Sequence, residues 1–171
     1  MLTTRLFACS GEVIPPVIMT GIFTILGKEI FHISTEVGTG HTVKIINNLV
    51  QGVNLAAICE AMVLAVKAGL DPAMFLDILN KSSGESYASR IKVPGFIFKR
   101  EFSTGFKAKL QHKDMDLATT LAKELKVPVA MGNLAKEYYM AAMAAGKGDM
   151  DASVIVTLLE DITGVTVKPT P

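Results

Sequence analysis

The sequence predicts an all-α protein, a helical bundle built around one long central helix, with a short irregular or β-like N-terminal segment ahead of it. Three observations lead there. From Gly38 onward, apolar residues recur at helical spacing, punctuated by Gly69, Asp71-Pro72, Pro128 and Gly164, which are residues that end or start helices. Half of the 171 residues are hydrophobic, yet only 6% are aromatic and Trp is absent, so the core must come from Ala, Val, Ile, Leu and Met. No internal repeat is present. A chain of this length fits one domain and can bury about two-thirds of the surface its unfolded form exposes.

Taken in order, Met1 to Pro16 has no helical period, and Pro15-Pro16 forbids a regular element through that point. Two short apolar runs follow, Gly21–Leu26 and Ile30–Ile33, with Gly27-Lys28-Glu29 as a turn between them; the second run is β-like. Thr39 or Thr42 can cap a long helix that reaches about Ala68 and stops at Gly69. Asp71-Pro72 combines an N-cap carboxylate with proline at the first helical position, starting a helix to about Asn80. A short helix over Ser86–Lys92 should break at Pro94-Gly95, and Phe96 to Phe106 should be irregular. Leu110, Leu117, Leu121 and Leu125 mark a helix from about Lys109 to Lys126. Pro128 opens the next, to Gly146, and Asp149 or Asp151 caps the last, which Gly164 ends. These boundaries divide the chain into an N-terminal segment 1–36, a helical domain 37–165 and a disordered tail 166–171.

Seventeen basic residues balance sixteen acidic ones, for a net charge of +1, so the cationic footprint of a nucleic-acid binder is missing. Cys9 and Cys59 read as reduced, separate thiols, and His32, His41 and His112 lack ligand spacing, so no metal is expected. The apolar stretch Val13–Leu26 is too short to cross a bilayer and makes a poor signal peptide. The expectation is a cytoplasmic protein with no membrane partner.

The long helix is the most informative segment. Apolar nearly all round, it should be central and buried. Against that background Lys44, Asn47, Asn48, Gln51 and Asn54 share one face by their spacing. An amide buried without a partner costs about 1–3 kcal/mol. Such a stripe therefore either lies in solvent or faces a ligand. In the second case Lys44 and Asn48, one turn apart, point into a cleft where the ammonium protonates a carbonyl oxygen and the amide holds a hydroxyl or carboxylate. Gly38-Thr39-Gly40 is no dinucleotide fingerprint, since position 43 is valine; its glycines suit a sharp turn and close approach to a ligand.

The run Val37-Gly38-Thr39-Gly40-His41-Thr42-Val43-Lys44-Ile45-Ile46-Asn47-Asn48, followed by Glu60-Ala61, closely resembles the start of the C-terminal domain of the β-hydroxyacid dehydrogenases. That family includes 3-hydroxyisobutyrate dehydrogenase and 2-hydroxy-3-oxopropionate (tartronate semialdehyde) reductase. A second block, Gly105-Phe106, Leu110 and Lys113-Asp114-Met115-Asp116-Leu117-Ala118, is similar to another segment of the family, as are Pro128, Tyr138 and Gly148–Ser153. The resemblance implies a fold like the C-terminal domain of 6-phosphogluconate dehydrogenase. It also implies that Lys44 is the catalytic general acid, that Asn48 orients the substrate with Thr39 and Gly40, and that Lys113, Asp114 and Phe106 face the cofactor, NAD or NADP. From the residues alone, Asp114 is equally a favourable charge near a helix start and Phe106 equally plain core.

Two features depart from the family. Its dinucleotide-binding GxGxxG is absent, and Ser10-Gly11-Glu12, thirty-four residues before Lys44, matches its Ser-Gly-Gly motif in neither third residue nor spacing. The expected function is the substrate-binding and catalytic-lysine part of an NAD(P)-dependent oxidoreductase that interconverts a small β-hydroxyacid and its semialdehyde. The alternative is an inactive helical dimerisation module. Little dehydrogenase activity is expected of these 171 residues alone, and a homodimer or higher homo-oligomer is expected through the helices.

Overall fold

The structure, a computed structural model, describes residues 6–10 and 29–169. The run Val13–Leu26 with its prolines, Gly27-Lys28 of the expected turn, Gly11-Glu12 and the final two residues lie outside the described residues, as do the side chains of Cys9 and His32. Contacts divide the chain into two compact units, Met1–Asn47 and Asn48–Pro171.

In the first unit, β1 (Leu6–Ser10) and β2 (Glu29–Ser34) pair in parallel, Leu6 opposite Glu29 and Cys9 opposite His32, with a register shift between Cys9 and Ser10. The β-like run is therefore a strand. Leu6–Ser10 carries no apolar alternation, which is why the sequence did not expose it. Gly38 adopts φ +98, a left-handed turn ahead of α1 (Thr39–Lys67). The threonines at this start act differently from caps. Thr39 Oγ1 donates to the Glu36 carbonyl, and the Thr42 N–H and hydroxyl both donate to the Gly38 carbonyl.

The second unit is all helical. Beyond Asn48, α1 runs on to Lys67, and Gly69 at φ +84 turns the chain out of it. In α2 (Pro72–Asn80) the Asp71 carboxylate accepts the Met74 N–H at 2.8 Å, the cap the sequence predicts. The next element differs from expectation: α3 (Ala88–Ile97) is π-helical and passes through Pro94. The wider turn, with the Phe98 N–H reaching Val93 O, accommodates a ring that an α-helical turn would clash with. α4 (Ala108–Glu124) and α5 (Ala130–Ala144) form a hairpin. A 3-10 turn (Ala152–Ile155), capped by Asp151, leads into α6 (Val156–Thr163), which Gly164 ends at φ +69. No side chain caps α4 at Lys107; the first N–H groups instead donate to carbonyls of the following loop, Ala108 to Met150 and Lys109 to Gly148.

Leu55, Cys59 and Met62 of α1 form the middle of the core with Val93, Ile97, Met115, Tyr139 and Ile155. Buried alanines at 56, 88, 108, 118, 122, 135, 142 and 152 let the helices approach closely, as the composition suggests. Tyr139 is the exception, a fully buried aromatic whose hydroxyl donates to Gly52 O at 2.9 Å. α1 itself is not buried all round. An 18-residue window in it is apolar enough to cross a membrane, with mean hydropathy 1.9 and 44% of it buried inside the protein. Val50 and Leu64 stand 54% and 70% exposed on the opposite side. Past α6, Val167 is fully buried and donates its N–H to Glu160 Oε1, so the tail turns back onto the helices at a residue its polar, proline-bearing sequence marked as loose.

Candidate active site

In the second unit, three residues singled out by the sequence, Asn48, Lys113 and Asp114, meet where α1 crosses α4. Asn48 donates from Nδ2 to Asp114 Oδ2 at 2.7 Å, and Gln111 donates from Nε2 to the Asn48 carbonyl at 2.7 Å. Gln111 and Asp114 lie three residues apart in α4, one turn, so both face α1. Asp114 is 1% exposed and Gln111 fully buried. A buried carboxylate needs charge and donors around it. Asp114 has the Asn48 amide on one oxygen, and on the other the Lys113 ammonium at 3.3 Å, whose side chain is 56% exposed. A carboxylate inside the fold thus fixes one amide and tethers one solvent-facing cation.

Gly52, one turn after Asn48, lets the helices come this close. A Cβ there would lie 2.6 Å from Gln111 Nε2 and would also strike Met115 Sδ. Gly52 O receives the Tyr139 hydroxyl, so α4 and α5 both meet α1 at the same residue. Sequence reading passed over Gln111 and Gly52. Their signals were present, a glycine inside a helical pattern and a polar residue one turn before Asp114 on an apolar face.

Of the other expected residues, Thr39, Gly40 and Lys44 belong to the first unit, where Lys44 is exposed and Gly40 buried. Phe106 is half-buried and fixed through its backbone: its N–H donates to Asp151 Oδ2 at 3.0 Å, and its carbonyl accepts the Ala152 N–H. It belongs to the Asp151 junction. Cys59 is buried, and burial pushes its thiol well above the usual range, so it is an inert core residue.

The chain belongs to the family described as the NAD-binding domain of NADP-dependent 3-hydroxyisobutyrate dehydrogenase, whose model matches residues 38–159. Within it, the chain is 42% identical over 147 residues to 2-(hydroxymethyl)glutarate dehydrogenase of Eubacterium barkeri, covering 86% of this chain and 48% of the relative. The solved 3-hydroxyisobutyrate dehydrogenase of Salmonella typhimurium superposes with a TM-score of 0.80 at 27% identity, over 87% of this chain and 52% of that one. That of Mycobacterium tuberculosis, solved with L-serine, gives 0.80 at 28% identity, over 91% and 55%. The chain spans about half the length of the curated relatives it matches. The cofactor of the family is NAD or NADP.

A dinucleotide needs backbone N–H groups at a glycine-rich turn to cradle its pyrophosphate. Among the described residues of the helical unit no such turn is present. What the unit does offer is the solvent-facing Lys113 ammonium beside buried Asp114.

Proposed function

We propose that the chain is the substrate-binding and catalytic-lysine part of an NAD(P)-dependent oxidoreductase that interconverts a small β-hydroxyacid and its semialdehyde. The observation that carries this reading is the buried Asp114 carboxylate holding Asn48 and Lys113 together, inside the segment that matches the family. Lys44 is the proton donor: its ammonium protonates the carbonyl oxygen as the semialdehyde is reduced, and takes that proton back in the reverse direction. Asn48, held at its Nδ2 by Asp114, orients the substrate, and Thr39 and Gly40 are further substrate-binding residues. Lys113 and Phe106 lie toward the cofactor, which when bound supplies or accepts the hydride. Asp114 holds Asn48 and Lys113 in place between turnovers. Residues 37–165 form the functional domain.

The test is an NMR titration of the 15N-labelled chain with 3-hydroxyisobutyrate. Saturable shifts at Lys44 and Asn48, abolished in N48A, support the reading. Saturable shifts confined to other residues, or none at substrate concentrations of about 10 mM, overturn it.

A second reading, a non-catalytic helical module that assembles with its own copy, is favoured by the exposed positions Val50, Ala57 and Leu64. They recur every seven residues and so form an apolar stripe along α1. The same stripe would make the enzyme a homodimer, so assembly alone does not separate the two readings; substrate binding does.

A further inference from the structure

The α4–α5 hairpin holds a cleft of about 370 Å³. From α4 come Thr119, Thr120 and Lys123, and from α5 Asn133 and Lys136; the turn Val127-Pro128-Val129 closes it with apolar surface. Thr119, the first of these residues in α4, is five residues beyond Asp114, about 8 Å along the helix and about 140° round it. The cleft is therefore separate from the Asn48–Asp114 cluster. Its volume is at the small end of the ~300–1,000 Å³ that ligand sites occupy, which suits a metabolite of a few carbons.

Charge decides which kind. The lining has two lysines and no carboxylate. Lys136 is largely sunk between the helices, its side chain 18% exposed, and its ammonium is aimed by Asp116 Oδ1 at 2.8 Å and Thr119 Oγ1 at 3.2 Å. Asp116 spends its charge on Lys136, whose hydrogen bond holds that carboxyl below the usual range. Among the described residues no carboxylate pairs with Lys123. Two cations line the cleft and Asp116 pairs with one of them, Lys136, which leaves a positive excess at Lys123. The Asn133 amide gives one hydrogen to Val129 O at 3.3 Å and keeps a second for a ligand.

We propose that this cleft binds a small organic anion, its carboxylate or phosphate head between Lys123 and Lys136 and its carbon stem on Val127-Pro128-Val129. Charge-assisted hydrogen bonds from two ammonium groups hold the head. The apolar turn gives the stem a surface to lie on. The site is independent of the substrate reading above, because none of its residues belongs to that cluster.

Isothermal titration of the full chain with succinate and with inorganic phosphate tests this. Saturable one-to-one binding of either probe is expected, weakened about tenfold or more in K123A, the loss of one charge-assisted contact. Succinate alone would identify a carboxylate with an apolar stem, phosphate alone a phosphate ester. K123A changes an exposed residue, and circular dichroism checks that it folds. K109A, an exposed lysine outside the cleft, must leave binding unchanged. No saturable heat below about 10 mM, or equal weakening in K109A and K123A, overturns the proposal, the latter because the effect would then be general charge.

Discussion

Asp151 is 1% exposed, and each of its oxygens carries two contacts. Oδ2 takes the Lys92 ammonium at 2.6 Å and the Phe106 N–H; Oδ1 takes the Ser153 N–H and hydroxyl. Lys92 is 5% exposed and lies 4.4 Å from the Phe96 ring centre. A buried pair of this kind adds little over a well-packed apolar pair, but removing one member strands the other. D151A is therefore expected to destabilise the fold by about 3–5 kcal/mol, read as a lowered urea midpoint; a loss below about 1 kcal/mol would show that Lys92 escapes to water. Asp149, two residues earlier, is the opposite case. It is exposed, and hydrogen bonds from Lys107 and then Lys109 hold its carboxyl at about 2 instead of 3.8. Because the folded value is the lower one, its contribution is complete above 3.8 and vanishes as pH falls through about 2. In an NMR titration the Asp149 carboxyl should move back toward 3.8 when Lys107 and Lys109 are both replaced by alanine.

Among the elements, α1 decides the architecture, and at Gly52 it leaves no room for a Cβ against α4. The two neighbours of Gly52, Gln111 and Met115, are fully buried, and Gln111 is tied to the Asn48 carbonyl, so neither can swing aside. G52A should cost about 1–3 kcal/mol by overpacking and loosen the Gln111–Asn48 bond, seen as faster amide exchange at Asn48. An unchanged melting curve would mean the crossing is softer than its geometry. Helix identities were legible because Asp71, Pro72, Gly69 and Gly164 act locally, through caps and backbone preference. Pro94 misled because its local meaning, a break, was overridden: Val93 and Ile97, fully buried on either side, hold the chain in a widened helical turn. Asn48 was legible as a polar residue on an apolar helix. Its partner Gln111 lies sixty-three residues away, and no local rule reaches that far.

For the whole molecule, the outward stripe of α1 is the feature that calls for a partner. Val50 and Leu64 stand more than half exposed, and exposed apolar rows on a single helix are a common mark of assembly. We expect light scattering to give twice 18.3 kDa at tens of micromolar, and V50E with L64E to return the mass to one copy with helicity unchanged. A wild-type chain that stays at one copy would leave the stripe for a different surface. Such a result would leave the Asn48–Asp114 cluster intact, since its hydrogen bonds form within one chain.

The head of α4 has a consequence for how the protein is made. Its first N–H groups rest on the carbonyls of Gly148 and Met150, about forty residues downstream. A ribosome adding about 5–20 residues per second needs roughly 2–8 seconds to make that stretch. For that interval the nascent α4 begins with donors satisfied only by water, and the Lys92 ammonium has no Asp151 to meet. Residues 148–151 complete two elements made well before them, so a stop codon before residue 148 would release a chain whose Lys92 and α4 head lack these partners.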